Sequence, residues 1–259
     1  MRIGVIGFGN MAQAMIYGLY EYSSFKDEVY ACAKNYQKLV KNTEGYPIVA
    51  AKSAEEVIEH SDLIIIAVKP YLVQEVIGPL VESLKGKTIL SVVSGHPLSK
   101  WKTILGEDVK CYCTIPNTPI RVGKGIMIVD ETHSVDDTSK QFIEDTFSKI
   151  ALIEPMPSHL TSISGTVCGC GPAFVDLFIE GLSDAGLMHG IPRAQSYRLV
   201  STMIEGSAAL QKITQTHPGI LKDQVCSPKG STIQGVATLE KHRFRYALID
   251  AINQVQQIK

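Results

Sequence analysis

Gly7-Phe8-Gly9-Asn10-Met11-Ala12 follows the short apolar run Ile3–Ile6 directly and leads into a helix-length segment. The spacing is G-x-G-x-x-A. Between a strand and a helix, the first glycine makes a tight turn and the second lets a pyrophosphate approach the backbone. A small third residue, here Ala12, allows close helix–strand packing. The helix N-terminus adds unpaired N–H groups and the positive end of its dipole. Gly7, Phe8, Gly9, Asn10 and Met11 are therefore the expected cradle of a dinucleotide, against the plainer reading of a glycine-rich turn that binds nothing.

The end of the second β-type run selects the dinucleotide. Sheets that bind NAD place a carboxylate there for the ribose hydroxyls. Asp27 and Glu28 instead precede Val29–Ala33, at the wrong end, and the run closes on Lys34-Asn35-Tyr36. A cation without a carboxylate suits a 2′-phosphate, so NADPH is expected to be preferred, with NADH possible. Three further breaks fall at strand ends: Lys69-Pro70, Ser94-Gly95 and Pro116-Asn117-Thr118-Pro119. Asn117, between two prolines, is expected to present its amide to the nicotinamide. Turns favour these residue types in any case, and the argument rests on three of them sharing one edge.

A second site is suggested by Ser227-Pro228-Lys229-Gly230-Ser231-Thr232. A hydroxyl-rich loop feeding a helix is an anion site and suits a substrate carboxylate. A well-capped helix with no ligand is the alternative.

These residues need a frame to hold them. Ile3–Ile6, Val29–Ala33, Ile48–Ala50, Leu63–Val68, Thr88–Val93, Lys110–Thr114, Ile126–Val129 and Leu152–Glu154 read as strands. Leu63–Val68 is apolar throughout, as a strand covered on both faces must be. Ser53 and Glu56 form a capping-box pattern at one crossover helix. The fold class expected is α/β: a doubly wound, Rossmann-type N-terminal domain over residues 1–157, then an all-α domain over residues 158–259.

In the second part the expected helices are Leu160–Val167, Pro172–His189, Arg193–Ile213, Gly219–Val225, Thr232–Lys241 and Phe244–Gln257, with Pro172 and Pro192 at helix starts. The stretch Ala173–Met188 is apolar around most of its circumference. Such a helix needs cover on all sides, from a partner subunit or from its own domain.

Composition narrows the rest. The 259 residues carry a formal charge of −1, with 45% hydrophobic and 20% charged residues, and no basic block for nucleic acid. No apolar run reads as long enough for a membrane span, and Gly7, Gly9, Asn10 and Gln13 interrupt the N-terminal apolar stretch that otherwise resembles a signal peptide. The six cysteines show no metal-ligand spacing, so no metal is expected. Free thiols suit a reducing, cytoplasmic setting. Cys111 and Cys113 should share one strand face.

The chain resembles the pyrroline-5-carboxylate reductases from end to end. The resemblance is carried by Gly7–Ala12, Ala67-Val68-Lys69-Pro70, Pro116-Asn117-Thr118-Pro119, Gly169-Cys170-Gly171-Pro172-Ala173 and, most specifically, Asp223–Glu240. It implies NAD(P)H-dependent reduction of L-1-pyrroline-5-carboxylate to L-proline and a homodimer, or higher oligomer, built on the helical domain. It also implies a site where cofactor domain and helical dimer meet. Thr232 would meet the imine nitrogen, Gln224, Gly230 and Ser231 would surround this small imino acid, and Val68, Lys69, Pro70, Ser94 and Asn117 would line the cofactor. Departures are Lys229 for the first Gly of a Gly-Gly pair, Cys170 for Ser, Tyr71 for Gln and Gln215 for Glu.

Two other readings stay open: a non-enzymatic NADP-binding relative, and a reductase of a different cyclic imine. A β-hydroxyacid dehydrogenase fits poorly, because no Lys follows Gly171 where its base belongs.

Overall fold

The computed structural model describes residues 1–257. Eight strands form one sheet: β1 Ile3–Ile6, β2 Val29–Cys32, β3 Ile48–Ala50, β4 Leu63–Ile66, β5 Thr88–Ser91, β6 Lys110–Pro116, β7 Gly125–Asp130 and β8 Ala151–Met156. All eight lie where the sequence places them. Their order is β3-β2-β1-β4-β5-β6-β7-β8. Pairing is parallel from β3 to β6, antiparallel between β6 and β7, and parallel again between β7 and β8. The reversal follows from the short link, residues 117–124, since a parallel return needs a longer crossover. Pro155, which has no N–H for a ladder, sits in the edge strand β8.

The apolar run of β4 explains the layering. Leu63 and Ile65 enter one core with Met15, Leu19, Ile143 and Phe147, whereas Ile64 and Ile66 enter another with Val57, Ile77, Leu84 and Trp101. All four β4 side chains are fully buried, each stabilising the fold by about 1.5–3 kcal/mol. The first core lies beneath α1 Asn10–Tyr22, α2 Tyr36–Thr43 and α7 Asp137–Phe147. The second lies beneath α3 Ala54–Glu59, α4 Val73–Ile77, α5 Val81–Leu84 and α6 Leu98–Leu105. Cys111 and Cys113 share a face as expected, their sulfurs 3.7 Å apart.

The remaining helices are α8 Ser158–Met188, α9 Arg193–Thr214, α10 Pro218–Val225, α11 Ser231–Lys241 and α12 Phe244–Gln257. Here two expectations are corrected. Pro172 does not start a helix; it lies inside α8, which runs unbroken through Leu160–Val167 and Pro172–Met188. An interior proline removes the hydrogen bond to the carbonyl four residues earlier, a cost that tertiary contacts must offset. Joining the two segments also lengthens the apolar run. By length and composition alone α8 can cross a membrane, contrary to the absence of any such run expected above; only 11% of its most apolar stretch is buried within the chain.

The chain divides into two compact units, Met1–Pro172 and Ala173–Lys259. The first holds both apolar cores. In the second, α8 and α9 approach closely where Gly186 faces Ser196, whose hydroxyl donates to the Ser183 carbonyl at 2.9 Å. Phe178 packs near Phe244, ring centroids 5.9 Å apart. Yet among the described residues no apolar side chain beyond Ala151 is fully buried. Val175, Leu177, Leu182, Met203, Ile213 and Val225 all stand exposed.

Candidate active site

The order of strands reverses between β1 and β4, and ligands of such sheets bind in the crevice beyond the carboxyl ends at that point. Gly7 turns there with φ +96°, a conformation that disfavours any Cβ, and a Cβ built on it would stand 2.8 Å from the Ala67 carbonyl oxygen. Gly9 caps α1 and faces open space. Ala12 is buried, as close packing requires.

The cradle is narrower than the motif suggests. The N–H groups of Gly7 and Phe8 both donate to the Cys32 carbonyl, at 3.0 and 3.1 Å, and that of Gly9 donates to Gly7 at 2.9 Å. Phe8 itself is buried beside Tyr17. The first main-chain bond of α1 runs from Gln13 to Gly9 at 2.9 Å. Asn10, Met11 and Ala12 therefore present N–H groups with no partner among the described residues, at a terminus with no side-chain cap and no acid in its first turn. Three donors at the positive end of a helix fit a pyrophosphate.

Lys34 is exposed just past β2, and no carboxylate stands beside it in sequence. Asn35 caps α2, its side chain accepting from the Lys38 N–H at 2.9 Å. Lys38 adds a second exposed cation in the first turn of α2, where a search of strand ends does not reach. Val68 and Lys69 follow β4, with Pro70 opening a 3₁₀ turn, and Ser94 is exposed in the turn after β5. Burial pushes the Cys32 thiol, beneath the Gly7 turn, up to about 11. It is a packing group, not a nucleophile.

Asn117 requires a correction. It follows β6 on the same edge, but it is buried, with a relative exposure of 6%. Its Oδ1 accepts from the Ile126 N–H at 2.9 Å and its Nδ2 donates to the Cys168 carbonyl at 3.2 Å. The amide is thus engaged by two bonds inside the fold, one at each end, and is not the free strand-edge group that the sequence suggests. Nothing in the local pattern Pro-Asn-Thr-Pro reveals a partner 51 residues away.

The other candidates lie together in the helical unit. Gln224 is exposed near the end of α10; a short loop then leads to Gly230, the N-cap of α11, with Ser231 and Thr232 in its first turn. The Gly230 N–H donates to the Ser227 carbonyl at 3.0 Å, and a Cβ there would fall 2.4 Å from Ser227 Oγ. Lys229 adopts φ +60°, the left-handed conformation that a glycine takes most readily. The turn survives the substitution. The N-cap of α11 is Gly230, not Thr232, which is the second residue of the helix. His/Cys/Asp/Glu groupings able to hold a metal are absent among the described residues.

A doubly wound sheet with an uncapped glycine-turn helix terminus at its switch point, followed by helices, is the architecture of a Rossmann-type dinucleotide-binding protein. The family model for pyrroline-5-carboxylate reductase dimerisation matches residues 158–259, and that for coenzyme F420-dependent NADP oxidoreductases matches residues 2–95. The pyrroline-5-carboxylate reductase of Treponema pallidum is 35% identical over 97% of both chains. That of Escherichia coli K12 is also 35% identical, over 99% of this chain and 96% of its own. The Plasmodium falciparum pyrroline carboxylate reductase, solved with NADP bound, superposes with a TM-score of 0.89 at 30% identity, covering 98% of this chain and 95% of its own. The chain belongs to the pyrroline-5-carboxylate reductase family.

Proposed function

We propose that this protein reduces L-1-pyrroline-5-carboxylate to L-proline with NADPH, acting as a homodimer, or a higher homo-oligomer, associated through its helical unit. The observation that carries the reading is the set of unpartnered Asn10, Met11 and Ala12 N–H groups at the β1–β4 switch point, in a chain alike from end to end to reductases of this imine. Gly7 and Gly9 leave the backbone bare for the pyrophosphate, and Lys34 offers a cation to the 2′-phosphate. Val68, Lys69, Pro70 and Ser94 lie along the same edge. When bound, the nicotinamide supplies a hydride to the imine carbon.

The substrate contacts come from Gln224, Gly230, Ser231 and Thr232. Gly230 and Ser231 hold the carboxylate at the start of α11, where N–H groups and the helix dipole favour an anion. The Thr232 hydroxyl donates to the imine nitrogen, which must carry a proton or gain electron density as the carbon is reduced. Six free cysteines support a reducing, cytoplasmic location. The test is NADPH oxidation on adding pyrroline-5-carboxylate, with a six-membered cyclic imine alongside. Faster turnover of the five-membered ring supports the reading. NADPH binding without oxidation on either imine would mark a regulatory relative instead.

A further inference from the structure

We infer that Asn117 is a positioning residue of the reductase, acting through α8 and not through the cofactor. Pro172 has no N–H, so the carbonyl of Cys168, four residues earlier in α8, loses its helical donor. The Asn117 amide supplies a donor to that same oxygen at 3.2 Å. The amide is held from behind: Oδ1 accepts from Ile126 N–H at 2.9 Å, and the Asn117 N–H donates to the Ile126 carbonyl at 3.1 Å. A second contact lies one turn back along α8. A Cβ on Gly165 would come 2.4 Å from Ile115 Cδ1, so this turn rests directly on β6.

Ile115 and Asn117 are two residues apart along one strand direction, and Gly165 and Cys168 are three apart on a helix; each pair shares a face. Together they seat the first part of α8 on the carboxyl edge of the sheet. The first compact unit ends at Pro172, the residue that breaks the rung. The chain therefore leaves the cofactor-binding unit at a point fixed by a side chain from the strand edge that carries the cofactor candidates. The role of Asn117 is to fix the course of α8 up to that exit.

The activity arm of the test rests on the reductase reading; the exchange arm does not. Four proteins are compared: wild type, Asn117→Ala, Pro172→Ala and the double variant. Pro172→Ala restores an N–H for the Cys168 carbonyl and makes Asn117 dispensable. In the wild-type background Asn117→Ala is expected to lower kcat about tenfold, and in the Pro172→Ala background less than about threefold, a coupling usual for groups sharing one partner. NADPH affinity should stay within about twofold throughout, since the amide does not serve the cofactor. Equal loss in both backgrounds, or weaker NADPH binding in step with kcat, overturns the inference. If even the wild type fails to turn over the imine, the reductase reading fails alone. Amide hydrogen exchange over residues 165–175 then decides, with protection lost in Asn117→Ala and regained in the double variant expected, and no recovery overturning it. Should Asn117→Ala not fold, Asn117→Ser takes its place in the same cycle.

Discussion

Gly7 turns so tightly against Ala67 that an added Cβ would lie 2.8 Å from the Ala67 carbonyl oxygen, whereas Gly9, two residues on, faces open space. The two glycines of one motif thus do different work. Gly7→Ala combines that clash with a φ of +96° and is expected to destabilise the whole fold by several kcal/mol. Gly9→Ala should leave the melting temperature nearly unchanged but weaken NADPH, because its methyl projects where the pyrophosphate approaches. Thermal melting and a fluorescence titration on both variants separate the effects. Equal melting temperatures would refute the division.

Lys34 should discriminate between the two nicotinamide cofactors. Lys34→Ala is expected to weaken NADPH by about 1 kcal/mol and NADH hardly at all, as for one exposed charged contact. Lys38 stands four residues away, so Lys34→Ala/Lys38→Ala should lose more. Parallel dissociation constants for NADPH and NADH check this. An equal loss for both cofactors would place Lys34 away from the 2′-phosphate.

Thr232 sits in the first turn of a helix already capped by Gly230. Thr232→Ala is therefore expected to lower kcat about 10²-fold, roughly 3 kcal/mol in the barrier, with little change in stability or NADPH affinity. Thr232→Ser keeps the hydroxyl and should keep most of the rate. Wild-type turnover by a folded Ala variant would remove the residue from the reaction.

Lys229 holds φ +60° beside that loop. Lys229→Gly relieves the left-handed strain but frees the unfolded chain, so stability should rise by less than about 1 kcal/mol. The exposed ammonium is not part of the proposed site, and kcat should persist. A melt and a steady-state assay on one variant suffice, and a large fall in kcat would assign the lysine to the substrate.

Association is best probed away from internal contacts. Phe178 packs near Phe244 of its own unit, so a charge there tests folding. Leu177, 67% exposed, has no such role. If the proposed homodimer covers this exposed face, Leu177→Asp is expected to shift the protein from dimer towards monomer in sedimentation at micromolar concentration, by placing a carboxylate against apolar surface. A wild-type protein that sediments as a monomer would sink the dimer.

What the sequence discloses, and what it hides, divides by the range of the interactions. The strands are legible because β4, with four apolar side chains in a row, has to be covered on both faces. Gly7-x-Gly9 is legible because turn geometry is a local demand. Pro172 misleads because a local rule places proline at helix starts, while the Asn117 amide that tolerates it inside α8 comes from a distant strand end. Asn117 misleads for the same reason, seen from the other side. The spent N–H groups of Gly7 and Phe8 are hidden too, since their shared acceptor, the Cys32 carbonyl, depends on how β2 ends.

The absence, among the described residues, of any fully buried apolar side chain beyond Ala151 also dictates an order of events in the life of the chain. The sheet unit, with two cores of its own, can collapse and gain its hydrogen-bonded ladders in a unimolecular step. The helical unit has only contacts such as Phe178 with Phe244 and Gly186 with Ser196 to hold it, so under the proposed homodimer its consolidation is tied to encounter with a second copy. Refolding should accordingly show a fast phase indifferent to dilution and a slower one whose rate climbs with protein concentration. On the proposed homodimer, a newly made chain carries an exposed apolar helical surface between those phases, and the abundance of the protein governs how long that exposure lasts.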